Sequence, residues 1–276
     1  MKKDQLFTRR RVLIAGAAAA GAAGTAGLFA LGGESAAPAP VAGAPARRVP
    51  LKPSAYRLQP LTGYGPPRAA PVRTLVRHEP LLRIAGRGRT MVLTFDDGPD
   101  PRYTPDILDT LSEYDVRAMF FVCGQMASAR PDLLERTADE GHVVGNHTWS
   151  HPLLTQLSRS LVHSEMKRTC DVIEEAIGER PEWFRAPYGA WNRAVFQIGA
   201  ELGMEPLAWT VDSRDWTTPG TRAITRRVEN GAGPGVVVLS HDAGGDRSQT
   251  VRALRTYLPQ LLDAGYHITV PSRQQV

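Results

Sequence analysis

From residue 90 onward, short apolar runs alternate with longer amphipathic stretches. The runs cover 91–95, 117–122, 142–145, 182–185, 205–211, 235–239 and 266–270, lengths typical of buried strands rather than helices. Between them, 105–114, 131–140, 158–177, 192–202, 222–230 and 250–264 place apolar side chains at helical spacing, so each would bury one stripe. Proline opens one such stretch at Pro131, and glycine follows the ends of others at Gly141, Gly178, Gly203 and Gly265. A missing N–H is harmless in a first helical turn, and glycine tolerates the left-handed cap that ends a helix. Strands separated by helices predict βα units on a parallel sheet. The chain is therefore expected to be α/β, either a barrel or a wound sheet.

This rhythm is absent before residue 90, and the charge changes with it. Residues 1–90 hold 15 Lys+Arg against 3 Asp+Glu, whereas 91–276 hold 18 against 25. The overall charge of +5 therefore belongs to the leading segment, and the body is acidic. An acidic body without a cationic stripe argues against a nucleic-acid groove, which neutralises phosphates with clustered Lys and Arg. Residues 1–34 pair a basic start with a run lacking charge from Val12 to Gly33, the layout of an export signal. Thr8-Arg9-Arg10 ahead of Val12-Leu13 resembles a twin-arginine signal, whose pattern is Ser/Thr-Arg-Arg followed by apolar residues. Export follows, with release or wall association as the destination; retention of the run as a membrane anchor is the alternative, since it is long enough to span a bilayer. Residues 35–89 are rich in Pro, Ala and Arg and lack either hydrophobic period, so they read as a linker, with a short stretch over 75–84 draped on the domain. The linker's charge would favour anionic wall polymers or lipid head groups; a solvated spacer is an equal reading. Residues 90–276 are expected to form one folded, functional domain, monomeric. Two cysteines, Cys123 and Cys170, are too few for a disulfide framework or zinc ribbon, and both are expected as buried thiols.

Polar residues collect where the apolar runs stop. Asp96 and Asp97 follow the first run, His147 and His151 the third, Arg185 and Tyr188 the fourth, Asp215 and Trp216 the fifth, and His241 the sixth. In parallel α/β architectures the C-terminal strand ends share one face, where catalytic groups gather. His147 and His151, four apart, would project together from a helical turn. With Asp97 they make a set of two imidazoles and one carboxylate that leaves metal positions open for water and substrate. A metal-assisted hydrolase also needs a base for the water proton, an electrophilic clamp for the oxyanion and an acid for the leaving group. Asp96 supplies the base, the metal and a backbone N–H near Tyr188 the clamp, and His241 the acid. Arg185 would keep Asp96 ionised and aimed, and Asp215 would orient and charge His241.

The sequence resembles the polysaccharide deacetylase family, metal-dependent carbohydrate esterases that share the rhizobial chitooligosaccharide-deacetylase homology domain. The resemblance rests on Thr-Phe-Asp-Asp-Gly at 94–98, His-Thr-Trp-Ser-His at 147–151, Arg-Ala-Pro-Tyr at 185–188, Asp-Ser-Arg-Asp-Trp at 212–216 and Leu-Ser-His at 239–241. All five stand in the family's order. The resemblance implies a distorted (β/α) barrel of about seven parallel strands, one divalent metal ion (zinc, with cobalt or another ion as alternatives) and removal of acetyl groups from a polysaccharide. It also implies that Asp96 is the base, Asp97 a metal ligand, and Trp216 and Leu239 the apolar walls for the acetyl methyl. The expected reaction is N-deacetylation of N-acetylglucosamine in peptidoglycan or chitin-type chains; an O-acetyl xylan esterase and a non-catalytic wall-binding protein are the alternatives. Trp149 and Trp191 are candidates either for stacking on sugar or for anchoring loops, while Trp183 and Trp209 are expected within strands, in the core.

Overall fold

The computed structural model of the protein describes residues 74–85 and 88–271. The segment expected as an export signal, 1–34, and most of the segment expected as a linker lie outside the described residues. Among the described residues eight strands and seven helices follow in the order β1 (Thr90–Asp96), α1 (Thr104–Glu113), β2 (Met119–Val122), α2 (Gly124–Ala129), α3 (Pro131–Asp139), β3 (Val143–Asn146), α4 (Arg159–Ile177), β4 (Trp183–Phe184), α5 (Arg193–Glu201), β5 (Glu205–Pro206), β6 (Val211–Asp212), α6 (Thr221–Gly231), β7 (Val236–His241), α7 (Ser248–Asp263) and β8 (His267–Ile268). All strand pairs are parallel, in the order β5-β4-β3-β2-β1-β7-β6, with β8 beside the first residues of β1.

The strand order curls because β5 and β6, its two ends, are joined by only four residues, Leu207 to Thr210. Residues 205–211, expected as one strand, are instead a broken one. The Leu207 N–H donates to Phe184 O (3.0 Å) on β4, and the Thr210 N–H donates to Val237 O (3.0 Å) on β7. One segment thereby ties the two edges of the sheet into the distorted barrel expected. Among the described residues, no helix is long and apolar enough to cross a membrane.

Alternation along β1 sorts the core. Met91, Leu93 and Phe95 face the helices and pack with Ile107, Leu108 and Leu254. Val92 faces the barrel interior with Met119, Phe121, Trp183, Leu207 and Val237. By the same period-two rule, Thr94 and Asp96 also face inward, and both are buried. Register then places the rim residues. Asp96 pairs with His241 on β7 and with Phe121 on β2, while Asn146 pairs with both Val122 and Phe184, so His147 and Arg185 follow at one level. Helix ends are secured locally: the Ser158 hydroxyl accepts from Leu161 N, and the Asn192 side chain accepts from Val195 N. Gly178 closes α4 in the left-handed conformation.

Candidate active site

Asp96 and Asp97 are adjacent yet face different partners because the strand ends between them. Asp96 keeps strand geometry, whereas Asp97 turns to φ 79°. Gly98 continues the turn, where a side chain would collide with the Asp242 carboxylate. Asp242 accepts from Gly98 N (3.1 Å) and from the Thr104 hydroxyl (2.6 Å), holding the turn from beneath. Burial and the negative Asp97 and Asp96 push the Asp242 carboxyl up to about 7.

His147 and His151 do not lie on a helical turn, the geometry expected from their spacing. His147 directly follows β3, and the chain then reverses through left-handed Thr148 (φ 70°) and His151 (φ 58°). The rings still converge, with centroids 5.0 Å apart. Glu165 on α4 accepts from Trp149 N (3.0 Å), Ser150 N (2.8 Å) and the Ser150 hydroxyl (3.0 Å), gathering the N–H groups this reversal leaves without sheet partners. Trp149 anchors the same loop: the Arg168 guanidinium lies 3.9 Å from its ring centroid, and its ring covers Gly124. Trp191 likewise stacks on Phe196 and meets Phe184 edge-on.

Asp97, His147 and His151 each offer a ligand atom within 4.8 Å of the others. Asp97 Oδ1 lies 3.6 Å from His147 Nε2 and 3.4 Å from His151 Nε2. Such separations suit donors around one small cation, since bonds of about 2.0–2.1 Å in a tetrahedron set ligand atoms about 3.4 Å apart. Asp97 Oδ1 is also buried without a hydrogen-bond partner, an arrangement that buried carboxylates otherwise avoid. His147 Nδ1 sits 2.8 Å from Arg185 O, so it carries the proton and Nε2 presents its lone pair. Burial, partly opposed by Asp97, lowers the His147 pKa to about 3 and keeps the ring neutral. The donor set therefore fits a divalent cation.

Arg185 is fully buried and spends its N–H groups on four acceptors. Nη1 donates to Asp96 Oδ1 (2.6 Å) and to the Thr94 hydroxyl (2.7 Å), Nε to Leu207 O (3.0 Å) and Nη2 to Ala208 O (2.8 Å). Burial raises the Asp96 pKa and lowers that of Arg185, while their attraction opposes both shifts. The guanidinium thus aims Asp96 without fully offsetting its desolvation. With Oδ1 occupied, Asp96 Oδ2 faces the ligand cluster, 3.7 Å from His147 Nε2.

Across the cleft, Asp215 Oδ1 meets His241 Nδ1 at 2.7 Å, and Oδ2 accepts from the His241 N–H (2.8 Å) and the Thr250 hydroxyl (2.8 Å). Burial works against a charged ring, yet the hydrogen bond and charge of Asp215 prevail and raise the His241 pKa to about 9. Asp215 itself is lowered, by His241 and Thr250 against its own burial.

These groups surround a cleft of about 460 Å³. Leu239 lies in its wall, and Tyr188 and Trp216 stand on its rim, 68% and 55% exposed. Asp96, Asp97, His147, His151, Tyr188, Trp216, Leu239 and His241 thus line one cleft, with Arg185 and Asp215 bonded behind Asp96 and His241, whereas Trp149 and Trp191 do not line it. Trp209 corrects part of an expectation: it lies in the break between β5 and β6 rather than in a strand, and while it packs against the barrel interior it also lines the cleft. Its position three residues before the Asp-Ser-Arg-Asp-Trp stretch was the only signal. Asp242, Glu165 and the cleft-lining Arg247 were also missed as site residues. Arg247 ties the rim together by donating to Ala243 O (2.6 Å), Gly244 O (2.9 Å) and Asp215 O (3.3 Å).

A curled parallel barrel with one buried carboxylate and one carboxylate-charged imidazole on its C-terminal rim defines an α/β-barrel hydrolase. Comparison with known proteins narrows the class. Residues 83–207 match the model of the polysaccharide deacetylase family, and the chain belongs to that family. A chitooligosaccharide deacetylase of Bradyrhizobium sp. (strain ANU 289) is 41% identical over 192 residues, covering 65% of this chain and 88% of the relative. A peptidoglycan-N-acetylglucosamine deacetylase of Bacillus cereus is 39% identical over 191 residues, 68% of this chain and 89% of that one. Among solved structures, a family 4 carbohydrate esterase from Streptomyces lividans in complex with acetate superposes with a TM-score of 0.64 at 35% identity, covering 68% of this chain and 95% of that one. A family 4 pseudoenzyme from Bacillus anthracis superposes with a TM-score of 0.65 at 30% identity, over 69% of this chain and 66% of that one. The chain is a polysaccharide deacetylase, a hydrolase.

Proposed function

We propose that this enzyme is exported and removes N-acetyl groups from N-acetylglucosamine residues of an extracytoplasmic polysaccharide, peptidoglycan or a chitin-type chain. The observation that carries the reading is the placement of an aimed carboxylate and a charged imidazole opposite each other, on adjacent strands in register at Asp96 and His241. Asp97, His147 and His151 would hold a divalent cation, zinc by the nitrogen-rich donor set and cobalt as the alternative, and that ion supplies Lewis-acid activation of water and of the acetyl carbonyl.

The chain's own groups do the proton work. Asp96 accepts the proton of the attacking water at Oδ2, because Arg185 occupies Oδ1. A base whose pKa is raised by burial gains proton affinity, which general-base catalysis near neutrality uses. Tyr188, held at φ 61° beside His151, brings a backbone N–H to the side where the oxyanion develops. His241 donates its proton from Nε2, since Nδ1 is fixed to Asp215. An expelled amine needs that proton, whereas an alkoxide leaving group needs it less. The charged state of His241 therefore favours amide over ester as the natural bond. Leu239 and Trp216, joined by Trp209, wall the part of the cleft that accepts the acetyl methyl, and Tyr188 offers an exposed aromatic face to flanking sugars.

The test is acetate release from peptidoglycan, chitooligosaccharide and acetylxylan measured side by side, with and without chelator. The proposal expects chelation to abolish release and zinc or cobalt to restore it, with N-acetyl substrates preferred. Full activity in chelator, or preference for acetylxylan, would overturn it.

A further inference from the structure

One segment outside the cleft reaches the base through two intermediaries, the Leu207–Ala208 stretch and Arg185. Residues 77–84 run across the opening between β5 and β7. At one end Arg77 Nε pairs with Glu205 Oε2 at 2.5 Å. In the middle Leu81 forms a parallel bridge to Leu207, its N–H donating to Pro206 O (2.9 Å) and its carbonyl accepting from Ala208 N (2.8 Å). At the other end the Ile84 N–H donates to Gly235 O (3.0 Å), and Arg83 bridges Val236 antiparallel and donates from Nη1 to Pro234 O (2.9 Å). Gly235, at φ 72°, makes that crossing possible, for a Cβ there would lie 2.5 Å from Ile84 O. Ile84 is buried among the residues of the barrel interior. The segment is the stave that the short β5 and β6 leave missing.

Leu207 and Ala208 are the residues whose carbonyls accept from Arg185. On one flank they are held by β4 through Leu207 N, and on the other by Leu81 through Ala208 N. We propose that residues 77–84 are a positioning element for catalysis: by pinning Leu207 and Ala208, they fix the two carbonyls that aim the Arg185 guanidinium at Asp96. This inference rests on the reading of Asp96 as the base. It makes the end of the linker part of the catalytic apparatus, even though no residue of the segment lines the cleft.

The full chain is tested with a graded set of substitutions: Arg77→Ala at one end, Gly235→Ala at the other and Leu81→Pro, which removes the N–H given to Pro206. Release of the segment is read by amide exchange at Ala208 and by the Nε–H resonance of Arg185, neither of which depends on activity. Once Ala208 exchanges freely, kcat on chitooligosaccharide should fall by about 10-fold or more, the scale expected when a reacting group is misplaced by a fraction of an ångström. KM and bound metal should stay near their wild-type values. Unchanged kcat with Ala208 released would overturn the proposal. Loss of metal in step with kcat would also overturn it, by reducing the segment to general scaffolding. Asp96→Asn, assayed alongside, separates the two readings. Activity retained there would remove Asp96 as the base and this inference with it. An inactive Asp96→Asn beside fully active released variants would overturn this inference alone.

Discussion

At the scale of single residues, catalysis depends on which oxygen or nitrogen each neighbour occupies. Asp96→Asn leaves Asp97, His147 and His151 untouched, so metal content should be unchanged. Turnover should drop by about two orders of magnitude or more, the usual effect of losing a positioned base; assay and metal analysis of one preparation check both. In the proposed mechanism His241 makes the alkaline limb. It is an acid only while charged, so the rate on amide substrates should fall as pH rises through about 9. Asp215→Asn removes the carboxylate that holds the ring charged, and the limb should move down toward the ordinary imidazole value of about 6.5, seen in a pH–rate profile. The same pair affects stability. Because the folded pKa of His241 lies above its unfolded value, the stabilisation is complete below the unfolded value and is lost as pH rises through about 9. The identities of these residues could be read from the sequence, since Asp, His and Arg stood at strand ends. The convergence of the two histidines was read correctly but for the wrong cause. Left-handed backbone at Thr148 and His151, which no side-chain periodicity reveals, brings the rings together.

Between residue and molecule, elements act as supports. Glu165 reaches from α4 to collect the amides of the loop carrying His151. Glu165→Gln should therefore weaken metal affinity by about 10- to 100-fold, the range seen when groups behind metal ligands are removed, with little change in melting temperature; calorimetric titration with zinc measures it. The helices matched their apolar spacing because six of them are long enough to show a period. α2, only six residues long, was not. The strand expected over 205–211 illustrates another limit. An apolar run announces burial but not a partner, and here the first half pairs with β4 and the second with β7. Trp209 falls in the break for that reason and becomes a wall of the cleft. Glu165 and Asp242 went unnoticed because a carboxylate that accepts from distant backbone amides looks, in sequence, like any helix or loop carboxylate.

The whole molecule joins an acidic catalytic barrel to a basic leading segment. If the paired arginines direct a folded protein outward, replacing Arg9 and Arg10 with Lys should leave the enzyme in the cytoplasm, as fractionation and blotting would show; undiminished secretion would point to the general route. Cys123 and Cys170 are both buried and free, and burial raises both thiol pKa values, that of Cys170 to about 11. Thiols protected in this way survive an oxidising compartment when folding precedes export.

Left-handed backbone at residues other than glycine also bears on how this enzyme could be hardened against heat. Asp97, Thr148, His151, Tyr188 and Arg214 all hold positive φ, and such positions store roughly 1–3 kcal/mol each. A screen that rewards survival at high temperature would be drawn to this rim, where relaxing Thr148 or Arg214 to glycine removes strain. The survivors would melt later and hydrolyse more slowly, because the contorted turns also hold the ligands together. Thermal hardening should instead be sought on the outward faces of α1, α6 and α7, which carry no cleft residue.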